Sequence, residues 1–420
     1  MRRTELTRMP AMSTHPQRAR IALATCLAFI ASPSVNAQAV VAPKTISHPL
    51  TIAKHPAASL TNADADSIIG SANGVLGQCR AVFGRQGNVA SSTAMPSAIY
   101  SASDMAAACG ASLMSEDPSP AGVPRRVRLV NNIYWCGSPT TTTIGCAYTP
   151  GTCLVVVRHY LDGILWSHEF GHSKGLPHRQ DSDAVMHGTI DPNHRVFSSG
   201  ECQSIRQLGL TRLDGPPLAD ASASRNPPPI EEFVAREFVH GVPYDEARLY
   251  TSSDATKIEP WLADANKVAI ADNVATTIGI IADAHAFEVL RGALFAEGNG
   301  SLSKDQFNVR VAALMSLGYV VRGNGSADAR SLLEARTDPS SWTDIGWMAP
   351  YHQNEAERNN ELATLAVLGL ALVGDEKALI FLRSIDLQKL GKESDSLARG
   401  VQQAITDIEE GLFEVRKNVD

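Results

Sequence analysis

The chain has 420 residues, 44% of them hydrophobic and 19% charged, with a formal net charge of -7. That length allows two domains, each able to bury a core. The acidic balance, the low aromatic content and the lack of a basic stripe exclude a nucleic-acid binder of the usual kind and give no support to headgroup binding.

The chain opens with five arginines, Arg2, Arg3, Arg8, Arg18 and Arg20, ahead of the apolar run "IALATCLAFIA". Small residues Val35 and Ala37 follow at the positions that precede a cut after Ala37. This reads as a cleaved export signal over residues 1–37, since the run is too short to span a bilayer. An uncleaved anchor and a lipoprotein site at Cys26 are the weaker alternatives. Cleavage leaves six cysteines, Cys79, Cys109, Cys136, Cys146, Cys153 and Cys202. An even number in an exported chain predicts three disulfides, with the pairing left open. A cysteine zinc site is disfavoured, because no pair has CxxC spacing.

Next come an extended segment, "KTISHPLTIAKHP", and a helix, "NADADSIIGSANGVLGQ", capped by Asn62 with acids in its first turn. A short strand is expected in "CRAVFGR" and a helix near Asp104 to Met114. "RRVRLVNNIYW", "TIGCAY" and "CLVVVRHY" are strand-like. "LDGILWSHEFGHSK" reads as a helix with Leu161, Leu165, His168 and His172 along one stripe, stopped by Gly175. "SSGECQSIRQLG" opens with the capping pair Ser198 and Glu201 and gives a last helix.

A proline-rich linker at 213–230 separates this half, 38–212, from a cysteine-free helical half at 231–420. Three stretches there share one plan, an apolar helix, a polar turn and an amphipathic helix. They are "VATTIGIIADAHAFEVLRGAL", "RVAALMSLGYVVRGNGSADARSLLEA" and "LATLAVLGLALVGDEKALIFLRSI". Gly279 and Gly318 fall on one repeat position. Each pair exposes an apolar face that a neighbour must cover, so stacked helix pairs resembling HEAT-like repeats are expected. A generic helical bundle is the alternative.

The chemistry concentrates in "HEFGHSKGLPH". Residues four apart on a helix face one way, so His168 and His172 can present two imidazoles to one metal. Gly175 lets the chain turn, and His178 returns as a third ligand. Three histidines leave a fourth position for water, the arrangement of a catalytic zinc site. Glu169 is the acid placed to accept the proton of that water as it attacks a carbonyl. His159, His187 and His194 are expected outside the ligand set, and Asp181 and Asp183 are expected to be loop residues. Asp162 is expected to support the helix N-terminus.

This motif, followed by "AVMHG" and preceded by "IGCAYTPG", resembles the metzincin clan of zinc peptidases, with the matrixins and astacins as its nearest patterns. The resemblance covers roughly residues 44 to 210 and is specific over 168 to 187. It implies an α+β catalytic domain with a mixed sheet and an active-site helix, holding one Zn2+ on His168, His172 and His178. Glu169 would be the general base, and Met186 the apolar floor of a Met-turn. The strand Gly145, Cys146, Ala147 and Tyr148 would pair with an extended peptide substrate. Arg179, after the third histidine, fits none of the subfamily patterns, and Gly188 stands where astacins carry a tyrosine.

The function expected is that of an exported zinc metalloendopeptidase acting on a protein or peptide, with a helical half that holds a protein partner or spaces the domain. The alternatives are a non-catalytic metal-binding module joined to an interaction domain, and a zinc hydrolase acting on another substrate, such as cell-wall peptide.

Overall fold

The computed structural model describes residues 44–110, 125–207, 227–298, 300–349, 351–387 and 395–411. The expected export signal, most of the linker and the end of the helix expected at Met114 lie outside the described residues. The first half contains β1 (Ile46–Lys54), α1 (Asn62–Leu76), β2 (Ala81–Arg85), β3 (Ala90–Ser91), β4 (Ala98–Ile99) and α2 (Ala102–Cys109). These are followed by β5 (Arg125–Leu129), β6 (Asn132–Trp135), β7 (Pro139–Thr143), β8 (Gly145–Ala147), β9 (Cys153–Val156), α3 (Asp162–Ser173) and α4 (Ser199–Arg206). The main sheet runs β2-β1-β5-β9-β8, with β3 also beside β1. β8 is antiparallel to β9 and forms one edge, while β2, β1, β5 and β9 are mutually parallel. A second sheet has the order β4-β6-β7.

Strand alternation explains the layering. Leu154 and Val156 of β9 face the core that α1 and α3 fill, whereas Cys153 and Val155 face the core beneath α2 and β6. A strand covered on both faces needs an uninterrupted apolar run, which "CLVV" supplies. All twelve residues of α3 are buried, so this helix lacks the solvent-facing side that a single apolar stripe implies. Helix α1 is capped by Thr61 rather than Asn62, with Asp64 closing a capping box. The Ser198–Glu201 box at α4 is present. The cysteines form Cys79–Cys202, Cys109–Cys153 and Cys136–Cys146.

His48 occupies an inward position of β1, as does Leu50, and its ring lies 4.8 Å from that of Phe170 between centroids. Burial, with lesser repulsion from Lys174 and Arg125, lowers its pKa from 6.5 to about 3. The unfolded chain therefore binds a proton here between those values that the native state refuses, and stability falls as pH drops through that window. Going from pH 7 to pH 5 is expected to cost about 2 kcal/mol through His48 alone. Urea unfolding of wild type and His48→Leu at both pH values checks this. The variant should lose that part of the pH dependence.

The second half contains α5 (Ile230–Val234), α6 (Tyr244–Ala247), α7 (Ser252–Ile258), α8 (Ala271–Ile281), α9 (Ala286–Leu294) and β10 (Gly300–Ser301). Then come α10 (Lys304–Asn324), α11 (Ala327–Ala335), β11 (Trp347–Met348), α12 (Glu355–Val373), α13 (Glu376–Ser384) and α14 (Asp395–Glu409). The three repeated stretches become α8–α9, α10–α11 and α12–α13. Their first helices pack side by side in the order α8, α10, α12, followed by α14. Small residues set the spacing: a Cβ on Gly279 would strike Ser316, and one on Gly318 would strike the carbonyl of Gly369 in α12. Gly318→Ala should therefore destabilise by about 1–3 kcal/mol through overpacking, although alanine is the better helix former. A raised melting temperature for this variant would contradict the close approach.

The two halves share one compact unit from Lys44 onward. Ala98, Tyr100 and Tyr134 belong to the helical core. The Tyr134 hydroxyl donates to Glu361 at 3.1 Å, and the Trp135 indole donates to Asp407 at 3.2 Å. The protein is thus α+β with a mixed sheet, followed by a mainly helical region that includes the short β10–β11 pair. Among the described residues, no helix is long and apolar enough to cross a membrane.

Candidate metal centre

Helix α3 carries His168, Glu169 and His172 and ends in a Schellman turn. The Leu176 N–H donates to the Gly171 carbonyl at 3.0 Å, and the Gly175 N–H to the His172 carbonyl at 2.8 Å. Gly175 has a φ of 83°, a conformation glycine adopts without a Cβ penalty. The turn sends the chain back along the helix and brings His178 to the other two imidazoles. His172 Nε2 lies 3.0 Å from His168 Nε2 and 3.2 Å from His178 Nε2.

A fourth imidazole completes the group. His240 Nε2 lies 3.1 Å from His172 Nε2, and the ligand atoms of all four rings fall within 4.8 Å of one another. The fourth position, expected open for water, is therefore taken by a side chain from beyond the linker. The closest spacings approach the edge of a tetrahedron with metal–nitrogen bonds of 2.0–2.1 Å, which is about 3.3 Å.

The tautomers suit a metal. His168 Nδ1–H donates to the Val185 carbonyl at 2.7 Å, His172 Nδ1–H to Leu176 at 2.8 Å and His240 Nδ1–H to Gly145 at 2.9 Å. With the proton held at Nδ1, each neutral ring turns an Nε2 lone pair toward the others, an arrangement that repels unless a cation joins them. A second proton is disfavoured. Burial, then repulsion among the rings, keeps the pKa values of His168 and His240 well below the usual range, and brings that of His172 to about 3. This group can hold a metal ion.

Glu169 sits beside it, fully buried, with Oε1 3.8 Å from His240 Nε2. Among the described residues, neither of its oxygens has a hydrogen-bond partner. Burial alone raises its pKa well above that of an ordinary glutamate. An unpartnered buried carboxylate costs several kcal/mol, so local structure gives no reason to keep it. Space is nonetheless kept for it, because a Cβ on Gly145 would collide with its carboxylate.

The remaining expected residues fall around this group. Met186 is buried with its sulfur against Gly171, where a Cβ would collide with it. Gly145, Cys146 and Ala147 form the edge strand β8, and Tyr148 follows it, half-buried. Arg179 is a tie rather than a ligand. Its N–H donates to the Met186 carbonyl at 2.8 Å, and its guanidinium pairs with Asp181 at 3.0 Å and Glu201 at 3.3 Å. The rings of His187 and His194 meet at a tilt with centroids 4.7 Å apart, and His159 pairs with Glu237 at 3.1 Å. All three are outside the ligand group. Asp162, in the first turn of α3, accepts from the His159 N–H at 3.1 Å and from Arg158 at 2.8 Å.

His240 escapes a reading by spacing because it lies far downstream, beyond the linker. The signal present is "EFVHG", a short alternating stretch ended by a glycine. Phe238 enters the helical core, Val239 enters the core under the main sheet, and Gly241 turns the chain with a φ of 86°. Comparison of the sequence with family models and with curated proteins finds no match.

Proposed function

We propose that the protein is a zinc-dependent peptide hydrolase of the metzincin type, exported from the cell. The observation that carries this reading is Glu169, a buried carboxylate without a partner held against the histidine group. A purely structural four-histidine site has no use for such a residue. The chain order of sheet, active-site helix, returning histidine, Met186 turn and final helix supports the same reading. Three disulfides suit an oxidising compartment.

His168, His172 and His178 would hold the zinc. When bound, zinc supplies Lewis acidity that polarises a carbonyl and makes water nucleophilic near neutral pH. Glu169 would take a proton from the attacking water and deliver it to the amine of the departing product. Its closed surroundings keep bulk water from competing for that proton. The edge of β8 would give its main-chain groups to an extended peptide, as in β-augmentation, in place of the Val239 carbonyl that the Gly145 N–H now meets. The stacked helix pairs, which we read as HEAT-like, would present a surface for a protein partner or substrate.

Metal removal tests the reading. Chelation should silence hydrolysis of a peptide library by the full chain, and stoichiometric zinc should restore it. Hydrolysis that survives complete chelation would overturn the proposal.

A further inference from the structure

The segment from Glu237 to Gly241 runs between the residues that lead into β8 and those that follow Met186. On one side, the Ile144 N–H donates to the Val239 carbonyl at 2.9 Å and the Gly145 N–H to the same carbonyl at 3.4 Å. Thr143 and His240 pair as an antiparallel bridge. On the other side, the Val239 N–H donates to the Gly188 carbonyl at 3.1 Å, and the Ile190 N–H to the Glu237 carbonyl at 2.7 Å. Thr189 and Phe238 form a second antiparallel bridge. The segment is thus two single bridges around a bend at Val239, held by main-chain bonds on both flanks, one formed by the residues leading into β8 and the other by those that follow Met186.

We infer that this stretch is an internal blocking segment. It fills the cleft of its own chain, and its His240 imidazole takes the metal position that a catalytic site leaves to water. This rests on the peptidase reading above, and assigns the regulation of that same site. Two observations favour a block over a permanent fourth ligand. Three ligands and the carboxylate come from one continuous motif, complete without His240. The blocking segment, by contrast, comes from the far side of the linker and is held by main-chain bonds to both walls of the cleft. Val239 is wholly buried while His240 keeps partial exposure, so the segment is seated with its metal end nearest the opening. The mature site would become accessible when this segment leaves the cleft.

The test begins with wild type. X-ray absorption at the zinc edge of the zinc-loaded full chain should show four imidazole nitrogens. Three imidazoles with one light oxygen would overturn the inference. Calorimetric titration with acetohydroxamate, a small zinc-chelating probe, should show no binding to wild type. It should show one site per chain in His240→Ala and His240→Asn, both of which should still retain one zinc. Peptide hydrolysis by these variants should rise at least about tenfold over wild type, as expected when a conformer populated at 10% or less becomes dominant. If both variants lose their zinc, or if wild type and variants bind the probe alike, the segment is not a removable block. Variants that admit the probe yet cleave nothing keep the inference about the segment and remove the peptidase reading instead.

Discussion

Replacing His172 by alanine is expected to abolish metal binding. Its Nε2 is the atom closest to the other ligands, at 3.0, 3.2 and 3.1 Å from His168, His178 and His240. Removing it takes away one of the two ligands that helix α3 holds side by side on one face. The loss should exceed the roughly 10–100-fold that removal of an outer hydrogen-bond partner costs in affinity. Zinc content after dialysis against a competing chelator measures this directly. Thermal unfolding gives a second reading. Zinc at a thousand times its dissociation constant stabilises a folded protein by about 4 kcal/mol, so the metal should raise the melting temperature of wild type and leave that of His172→Ala unchanged. Equal zinc retention by the two proteins would show that this group is not the metal site.

Glu169→Gln is the second large effect, and it separates chemistry from structure. The amide keeps the volume of the carboxylate in the space that Gly145 leaves open, but it cannot accept a proton. Hydrolysis should fall by about 10²–10⁴-fold, the usual contribution of a positioned general base. Zinc should stay at one per chain, because Glu169 is not among the ligands. Stability should not fall, since the substitution replaces a buried group that has no partner to lose. Loss of activity together with unchanged or higher stability is the mark of a residue kept for function. A matching loss of stability would make Glu169 structural.

Much of this was legible in the sequence where the determinants are local. Helical spacing places His168 and His172 together, and a glycine three residues on provides the Schellman turn that returns His178. The capping pair Ser198–Glu201 and the three helix pairs are likewise set by nearby residues. The disulfide partners were not legible, because pairing depends on which strands become neighbours. Cys109 meets Cys153 only because α2 lies over β9. The cap of α1 shifted by one residue, since Thr61 offers both a hydroxyl and a backbone N–H to Asp64. His240 was hidden for the strongest physical reason. Its position depends on two sets of main-chain bonds from segments distant in sequence, and main-chain pairing leaves little trace in side-chain patterns. The motif that made three ligands obvious also made the set look complete.

The central claim is that a carboxylate beside this histidine group drives peptide hydrolysis. It is tested most directly by the cleavage rate of one peptide substrate by the zinc-loaded full chain carrying His240→Ala, with and without Glu169→Gln, at equal zinc content. The account predicts zinc-dependent cleavage that falls by at least about 10²-fold when Glu169 is replaced. Cleavage that proceeds at the same rate without the carboxylate would contradict it.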